Sequence, residues 1–275
     1  LAETLQIPTQ SIQHHKAHFA SVLGEHDLWE SKEKIMGVVW DGTGLGEDGA
    51  IWGGEFFVYQ DHQMARINHF DYFAWIAADK MAREPRISLL SLCPPKLRGY
   101  CKDKFSPEEW KIYQNRLQKN HLPTSSVGRL FDAVASALGI IDLNSYEGEA
   151  AMRLESKASA YLKQSLKDYL EGETYDQIPG SLILEKVMQD SQSGVPQGLI
   201  AAQFHFTLAQ CIHREAEKRE AQVIALSGGV FQNATLIDML ISTSKNANNL
   251  KFNCKLSSND ENIALGQLMY HQNIQ

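Results

Sequence analysis

Hydrophobic positions along the chain keep two rhythms, one of two residues and one of three to four. Their succession predicts the elements. Residues 11–27 keep the helical rhythm, with Ala17, Phe19, Ala20, Val22 and Leu23 supplying the apolar surface. Residues 35–40 (IMGVVW) are a short apolar run suited to a buried strand, and Gly46-Glu47-Asp48-Gly49 supplies a turn. Residues 50–60 (AIWGGEFFVYQ) form a second strand of hairpin character, and 64–73 alternate as a third. Gly53-Gly54 marks a bulge or a close approach of backbone to a ligand. The helical rhythm then returns over 79–92 and 107–119, with Pro94-Pro95 between them. Residues 125–139 are strongly amphipathic, with serine caps in front and Gly139 behind. Further helices are predicted from 147 to 170, 180 to 190 and 198 to 219. Residues 221–226 are a strand, followed by Ser227-Gly228-Gly229 and a helix from Asn233. A last strand at 250–256 and a last helix at 260–271 close the chain.

Three antiparallel strands, a helical block, then strand–helix–strand–helix is the chain order of a ribonuclease-H-like unit. That unit builds the actin-like, sugar-kinase-like and Hsp70-like (ASKHA) nucleotide-binding proteins. The expected fold class is therefore α/β, a mixed sheet flanked by helices with a helical insertion. The strand ends carrying Asp41 and Ser227 would share one edge of the sheet and face one cleft.

Composition narrows the function classes. A chain of 275 residues, 43% hydrophobic and 21% charged, buries an ordinary core near the size at which one domain splits into lobes. A net charge of −7 disfavours nucleic acid and acidic membranes as partners. No apolar run approaches the roughly 20 residues that span a bilayer. The chain opens at Leu1 with no secretory signal in view, so a piece of a longer polypeptide is expected. Cys93, Cys101, Cys211 and Cys254 lack C-x-x-C spacing. Cys93 and Cys101 could pair or share a metal, but scattered reduced thiols and a cytoplasmic location fit the pattern better.

The chemistry concentrates at the start. His14, His15 and His18 lie within five residues, and on a helix His14 and His18 stand one turn apart on one face. Two imidazoles so placed can bind one divalent metal, although the same spacing also suits ordinary surface or core histidines. Asp41, at the end of a buried strand and followed by Gly42-Thr43-Gly44, can add an oxygen ligand while bare backbone approaches an anion.

Seven segments carry a resemblance: QHHKAH (13–18), DGTGLGEDGAIWGGEF (41–56), AREP (82–85), TSSVGRLFDAVASALG (124–139), YEGEAAM (146–152), SGGVFQN (227–233) and NDENIALGQ (259–267). Together, in order and across the whole chain, they resemble the C-terminal region of the carbamoyltransferase of nickel–iron hydrogenase maturation, the HypF family. The pattern is more remotely similar to tRNA threonylcarbamoyl transferases and to antibiotic O-carbamoyltransferases. A non-catalytic nucleotide-binding module of the actin fold is the alternative from another class.

The resemblance implies a metal-dependent site that binds ATP or carbamoyl-adenylate and passes the carbamoyl group to the C-terminal cysteine of a HypE-type maturation protein. The metal would be iron(II) or zinc, with Mg²⁺ accompanying ATP. The adenylate-forming domains would lie upstream in the same polypeptide, so this chain alone would not turn over carbamoyl phosphate. By the same resemblance, residues 1–35 end a first lobe, 36–256 form a second with a helical insertion at about 75–220, and 257–275 return to the first. His14, His18, Asp41 and Asp260 match metal ligands, and His15 could be a neighbouring proton acceptor or a helix-surface residue. Gly42, Thr43 and Gly44 would face phosphates and Gly228 and Gly229 the adenosine. Asn233 would bond the base, and Asp132 and Gly148 the ribose. Arg83 and Arg86 would contact phosphate or carbamoyl oxygen, with ion pairing to nearby acids the rival reading. Two departures stand out. Arg86 follows Pro85 directly where the family has a tryptophan between, and Asp260-Glu261-Asn262 stands where glycines are typical.

Overall fold

A computed structural model describes residues 9–119 and 122–274. The strands are β1 (Ile35–Leu45), β2 (Ile51–Gln60), β3 (Gln63–His69), β4 (Phe73–Ala74), β5 (Pro123–Thr124), β6 (Val223–Ser227) and β7 (Leu250–Phe252). The helices are α1 (His14–Glu25), α2 (Lys80–Arg83), α3 (Pro85–Leu92), α4 (Pro107–Lys119) and α5 (Val127–Ala137). They continue with α6 (Glu149–Ala158), α7 (Gly180–Gln192), α8 (Gln197–Lys218), α9 (Ala234–Thr243) and α10 (Ile263–Asn273). One sheet runs in the order β4-β5-β2-β1-β6-β7, with β3 also paired to β2. β2 is antiparallel to β1 and β3, while β6 is parallel to β1 and β7 parallel to β6. This is the expected α/β order.

Both faces of β1 are covered, which is why its sequence is an unbroken apolar run. Met36, Val38 and Trp40 point into a core shared with α3, α5, α7 and α8. Ile35 and Val39 point the other way, into a smaller core with Phe19, Val22 and Leu23 of α1.

Several element ends differ from the pattern. The 79–92 segment breaks at Glu84, because Pro85 lacks the N–H that would continue the ladder and instead opens α3. The helix expected to reach 170 ends at Ala158. Strand β1 runs past Trp40 to Leu45 with an irregular register. Trp40 pairs with Gly54 and Gly44 with Trp52, so Asp41, Gly42 and Thr43 stand opposite Gly53 alone. This bulge aims Asp41 out of the sheet. A Cβ on Gly53 would lie 2.6 Å from the Asp41 carbonyl oxygen, and one on Gly54 2.4 Å from that of Ser125. The bulge expected at Gly53-Gly54 is therefore present, and protein backbone packs closely on both glycines. All four cysteines are free, and Cys93, Cys101 and Cys211 are buried.

Candidate metal centre and nucleotide cleft

Helix α1 presents His14 and His18 on one face, with ring centroids 4.7 Å apart. The helix is fixed by Gln13, whose Oε1 accepts from the Lys16 N–H at 3.0 Å and caps its first turn. The β1 bulge brings Asp41 Oδ2 to 3.1 Å from His14 Nε2 and 3.5 Å from His18 Nε2. From the other end of the chain, Asp260 Oδ1 stands 3.6 Å from both nitrogens. One ligand atom from each of the four residues falls within 4.8 Å of the others.

The electrostatics favour positive charge between the two carboxylates. Burial disfavours the Asp41 carboxylate, but His14 and His18 overcome this and hold it well below the usual carboxylate range. Burial disfavours a charged His18, yet Asp260 and Asp41 raise it to about 9. His18 Nε2 is buried with no hydrogen-bond partner among the described residues, facing two carboxylates. Two imidazoles and two carboxylates this close fit iron(II) or zinc, which would take the place of the proton on His18 Nε2. The side chain of Asp260 is 79% exposed, so the group is sealed on the His18 side and open on the other.

That open side is a cleft of about 740 Å³, lined by Asp41 and Asp260 together with the expected Gly42, Thr43, Asp132, Gly148, Gly229 and Asn233. Ser126 holds the bulge from behind, its hydroxyl donating to the Gly42 carbonyl oxygen at 2.6 Å. The Gly229 N–H donates to Asp41 Oδ1 at 3.3 Å and so helps orient the ligand. Arg129, which sequence reasoning missed, also lines the cleft and ion-pairs through Nε with Asp132 Oδ2 at 2.8 Å. The i,i+3 spacing of the two on an amphipathic helix was the available signal.

Other expected residues sit elsewhere. Gly44 lies beneath the histidines, 2.6 Å from His15 Cε1 measured from a built Cβ, rather than facing the cleft. Gly228 is a tight-turn residue with φ of 97°, where a Cβ would lie 2.2 Å from the Trp40 carbonyl oxygen. Asn233 reaches the cleft wall, but its side chain is committed. Its Oδ1 accepts from the Leu236 N–H at 2.8 Å as the cap of α9, and its amide donates to His205 Nε2 at 3.0 Å. His15 is fully buried against Trp52 and outside the ligand group, and burial lowers its pKa well below the usual value. It is not a helix-surface residue. Arg86 is held by Glu84 and Glu109 at 2.7 and 2.8 Å and stacks over Phe105, while Arg83 is exposed. Neither arginine is among the residues that line the cleft.

A mixed sheet of this order, with carboxylates and glycines at the strand tips beside one cleft, defines an actin-like fold of the Kae1 type. The profile of the family described as "Carbamoyltransferase, Kae1-like Domain, second subdomain" matches residues 37–267, and the chain belongs to the HypF carbamoyltransferase family, matching its C-terminal region. It is 31% identical to the carbamoyltransferase HypF of Synechocystis sp. over 98% of this chain and 38% of that protein. It is 34% identical to the Rhodobacter capsulatus protein of the same name, over 98% and 36%. Full-length HypF in its phosphate- and nucleotide-bound form superposes with a TM-score of 0.84 at 31% identity, over 98% of this chain and 36% of that one. The chain thus spans under two-fifths of the length of these relatives.

Proposed function

We propose that this chain receives carbamoyl-adenylate, made from carbamoyl phosphate and ATP by other domains, and transfers its carbamoyl group to the C-terminal cysteine thiol of a HypE-type partner. The product would supply the cyanide ligand of nickel–iron hydrogenase. One observation carries the reading. Asp41 and Asp260 belong both to the ligand group and to the cleft lining, so a cation held by His14, His18, Asp41 and Asp260 would face whatever fills the cleft.

When bound, iron(II) or zinc supplies Lewis acidity, drawing off charge that develops on phosphate or carbamoyl oxygen. The chain's own residues bind and orient. Gly42 and Thr43 present a bulged backbone to the phosphates, and the Arg129–Asp132 pair and Gly148 line the wall that would take the nucleoside. In the transfer, the cysteine sulfur bonds to the carbamoyl carbon while the bond from that carbon to the phosphate oxygen breaks. AMP leaves with the electron pair, and the thiol proton passes to water. His15 supports the site by packing under it, and Arg83 and Arg86 take no part.

His14→Ala and Asp260→Ala test the reading. Both are expected to lose stoichiometric zinc or iron after dialysis. With the adenylate-forming domains supplied, both should lose carbamoylation of a cysteine-terminated peptide, read by mass spectrometry. Metal content and transfer that survive both changes would overturn it. Adenine-nucleotide binding with no bound metal in the wild type would leave only a nucleotide-binding module.

A further inference from the structure

Behind the metal ligands lies a buried polar chain that determines which nitrogen of His18 carries a proton. Its fixed point is Glu25, at the far end of α1. The Glu25 carboxylate accepts from the backbone N–H groups of Cys254 and Lys255 at 2.5 and 2.8 Å, so it can only be an acceptor. The Asn253 amide nitrogen donates to Glu25 Oε1 at 3.2 Å and to Ser21 Oγ at 3.0 Å. Ser21 spends its own proton on the His18 carbonyl oxygen, at 2.8 Å, so its oxygen is free to accept. With Asn253 oriented in this way, its Oδ1 must accept. It does so from the Ser227 hydroxyl at 2.7 Å and from the Asn262 amide at 3.2 Å. The same Asn262 nitrogen stands 3.0 Å from the Ser257 carbonyl oxygen. That leaves Asn262 Oδ1 pointing at His18 Nδ1, 2.9 Å away, in a fully buried pair.

An acceptor at that point requires a proton on Nδ1. From this we infer that Asn262 is a positioning residue: it holds a proton on His18 Nδ1, so that Nε2 is the nitrogen that gives up its proton to a metal and turns its lone pair to the site between Asp41 and Asp260. A metal-bound imidazole needs this arrangement, because its second nitrogen sets both ring orientation and ligand basicity. Asn262 reaches His18 across 244 residues of sequence.

The inference rests on the metal assignment made above, and its test separates the two. Zinc affinity of the chain is measured by competition with a chromophoric chelator for wild type, His18→Ala, Asn262→Leu and Asn262→Asp. Leucine keeps the branched shape but removes both acceptor and donor, whereas aspartate keeps the acceptor and loses only the donor. Asn262→Leu is expected to weaken zinc about 10–100-fold, the range for outer partners of metal histidines, and Asn262→Asp to weaken it less. In the zinc-loaded wild type, histidine-selective ¹⁵N NMR is expected to show a protonated Nδ1 and a metal-bound Nε2 at His18. Equal zinc binding by wild type and His18→Ala would sink the metal assignment itself. If His18→Ala loses zinc while Asn262→Leu keeps it, or if Nδ1 proves the ligating nitrogen, the tautomer role alone is overturned. Should Asn262→Leu fail to fold, the ¹⁵N spectrum of the zinc-loaded wild type decides: a protonated Nδ1 with a metal-bound Nε2 supports the role, and a metal-bound Nδ1 overturns it.

Discussion

A Cβ built on Gly44 would stand 2.6 Å from His15 Cε1, closer than real side chains tolerate, and 3.0 Å from His14 Cδ2, a tight contact. His15 is buried and cannot swing away, so the methyl of Gly44→Ala would have to push both rings off the ligand geometry. Zinc affinity by chelator competition should fall about 10-fold or more in this variant, with a loss of roughly 1–3 kcal/mol of stability in urea titration. Unchanged affinity would mean that His14 and His15 move independently of the metal group. At this scale the sequence was legible where local spacing carries the chemistry. A histidine pair one turn apart and an aspartate at a strand tip are visible without coordinates. Asp260 came through family resemblance alone, because nothing local ties it to a helix over 240 residues away. Asn262 and Ser227 act through hydrogen bonds between distant segments, which no periodicity records. Arg86 misled because an arginine beside acids looks the same in sequence whether it binds phosphate or Glu84 and Glu109.

Helix α1 is anchored at its far end by a carboxylate accepting from a loop. Glu25 gathers the N–H groups of Cys254, Lys255 and Leu256, the loop that follows β7 and leads back to Asp260. Burial pushes the Glu25 carboxyl up, but these N–H donors bring it down to about 2. A depressed folded-state value means the anchor's stabilisation is complete above the ordinary carboxyl pKa near 4.5. It is lost as pH falls from there towards 2. Glu25→Gln should therefore cost about 1–3 kcal/mol at pH 7. Its gap from wild type should narrow as urea titrations are taken down to pH 3. A gap independent of pH would show that shape, not charge, does the anchoring. Elements themselves were legible wherever one rhythm persisted, and failed where tertiary contacts took over. The helix expected to reach residue 170 stops at Ala158 although apolar spacing continues. Tyr169 and Leu170 are buried instead, with the Tyr169 N–H donating to Thr207 Oγ1 of α8 at 2.8 Å. The β1 bulge was signalled only from the facing strand, at Gly53-Gly54. The first strand was expected to end at Trp40, yet Gly44 and Leu45 resume pairing with β2.

The whole molecule places two anionic demands side by side. Asp41 and Asp260 converge where the ligand group meets the cleft, and the chain carries a net charge of −7. With no cation between them, those carboxylates would repel a triphosphate entering the same cleft. With a divalent cation bound, the local sign reverses and the phosphates gain a partner. Metal and nucleotide should therefore bind cooperatively, and the coupling must be reciprocal: zinc tightens ATP by the factor by which ATP tightens zinc. A factor of about 5–150 is the usual range for such coupling. Calorimetric titration of ATP into the zinc-loaded and chelator-stripped chain measures one side of it, and zinc competition with and without ATP the other. Thermal unfolding gives an independent reading. At a hundred times its dissociation constant ATP should add about 2.7 kcal/mol, which for a chain of this size is a rise of roughly 5–10 °C. The rise should shrink at the same ATP concentration once chelator has removed the metal, because the affinity itself has dropped. Equal ATP affinity in both states would separate the cleft from the metal group. The cation would then only hold α1 against β1 and the loop before α10, and the four ligands would belong to the fold rather than to carbamoyl transfer.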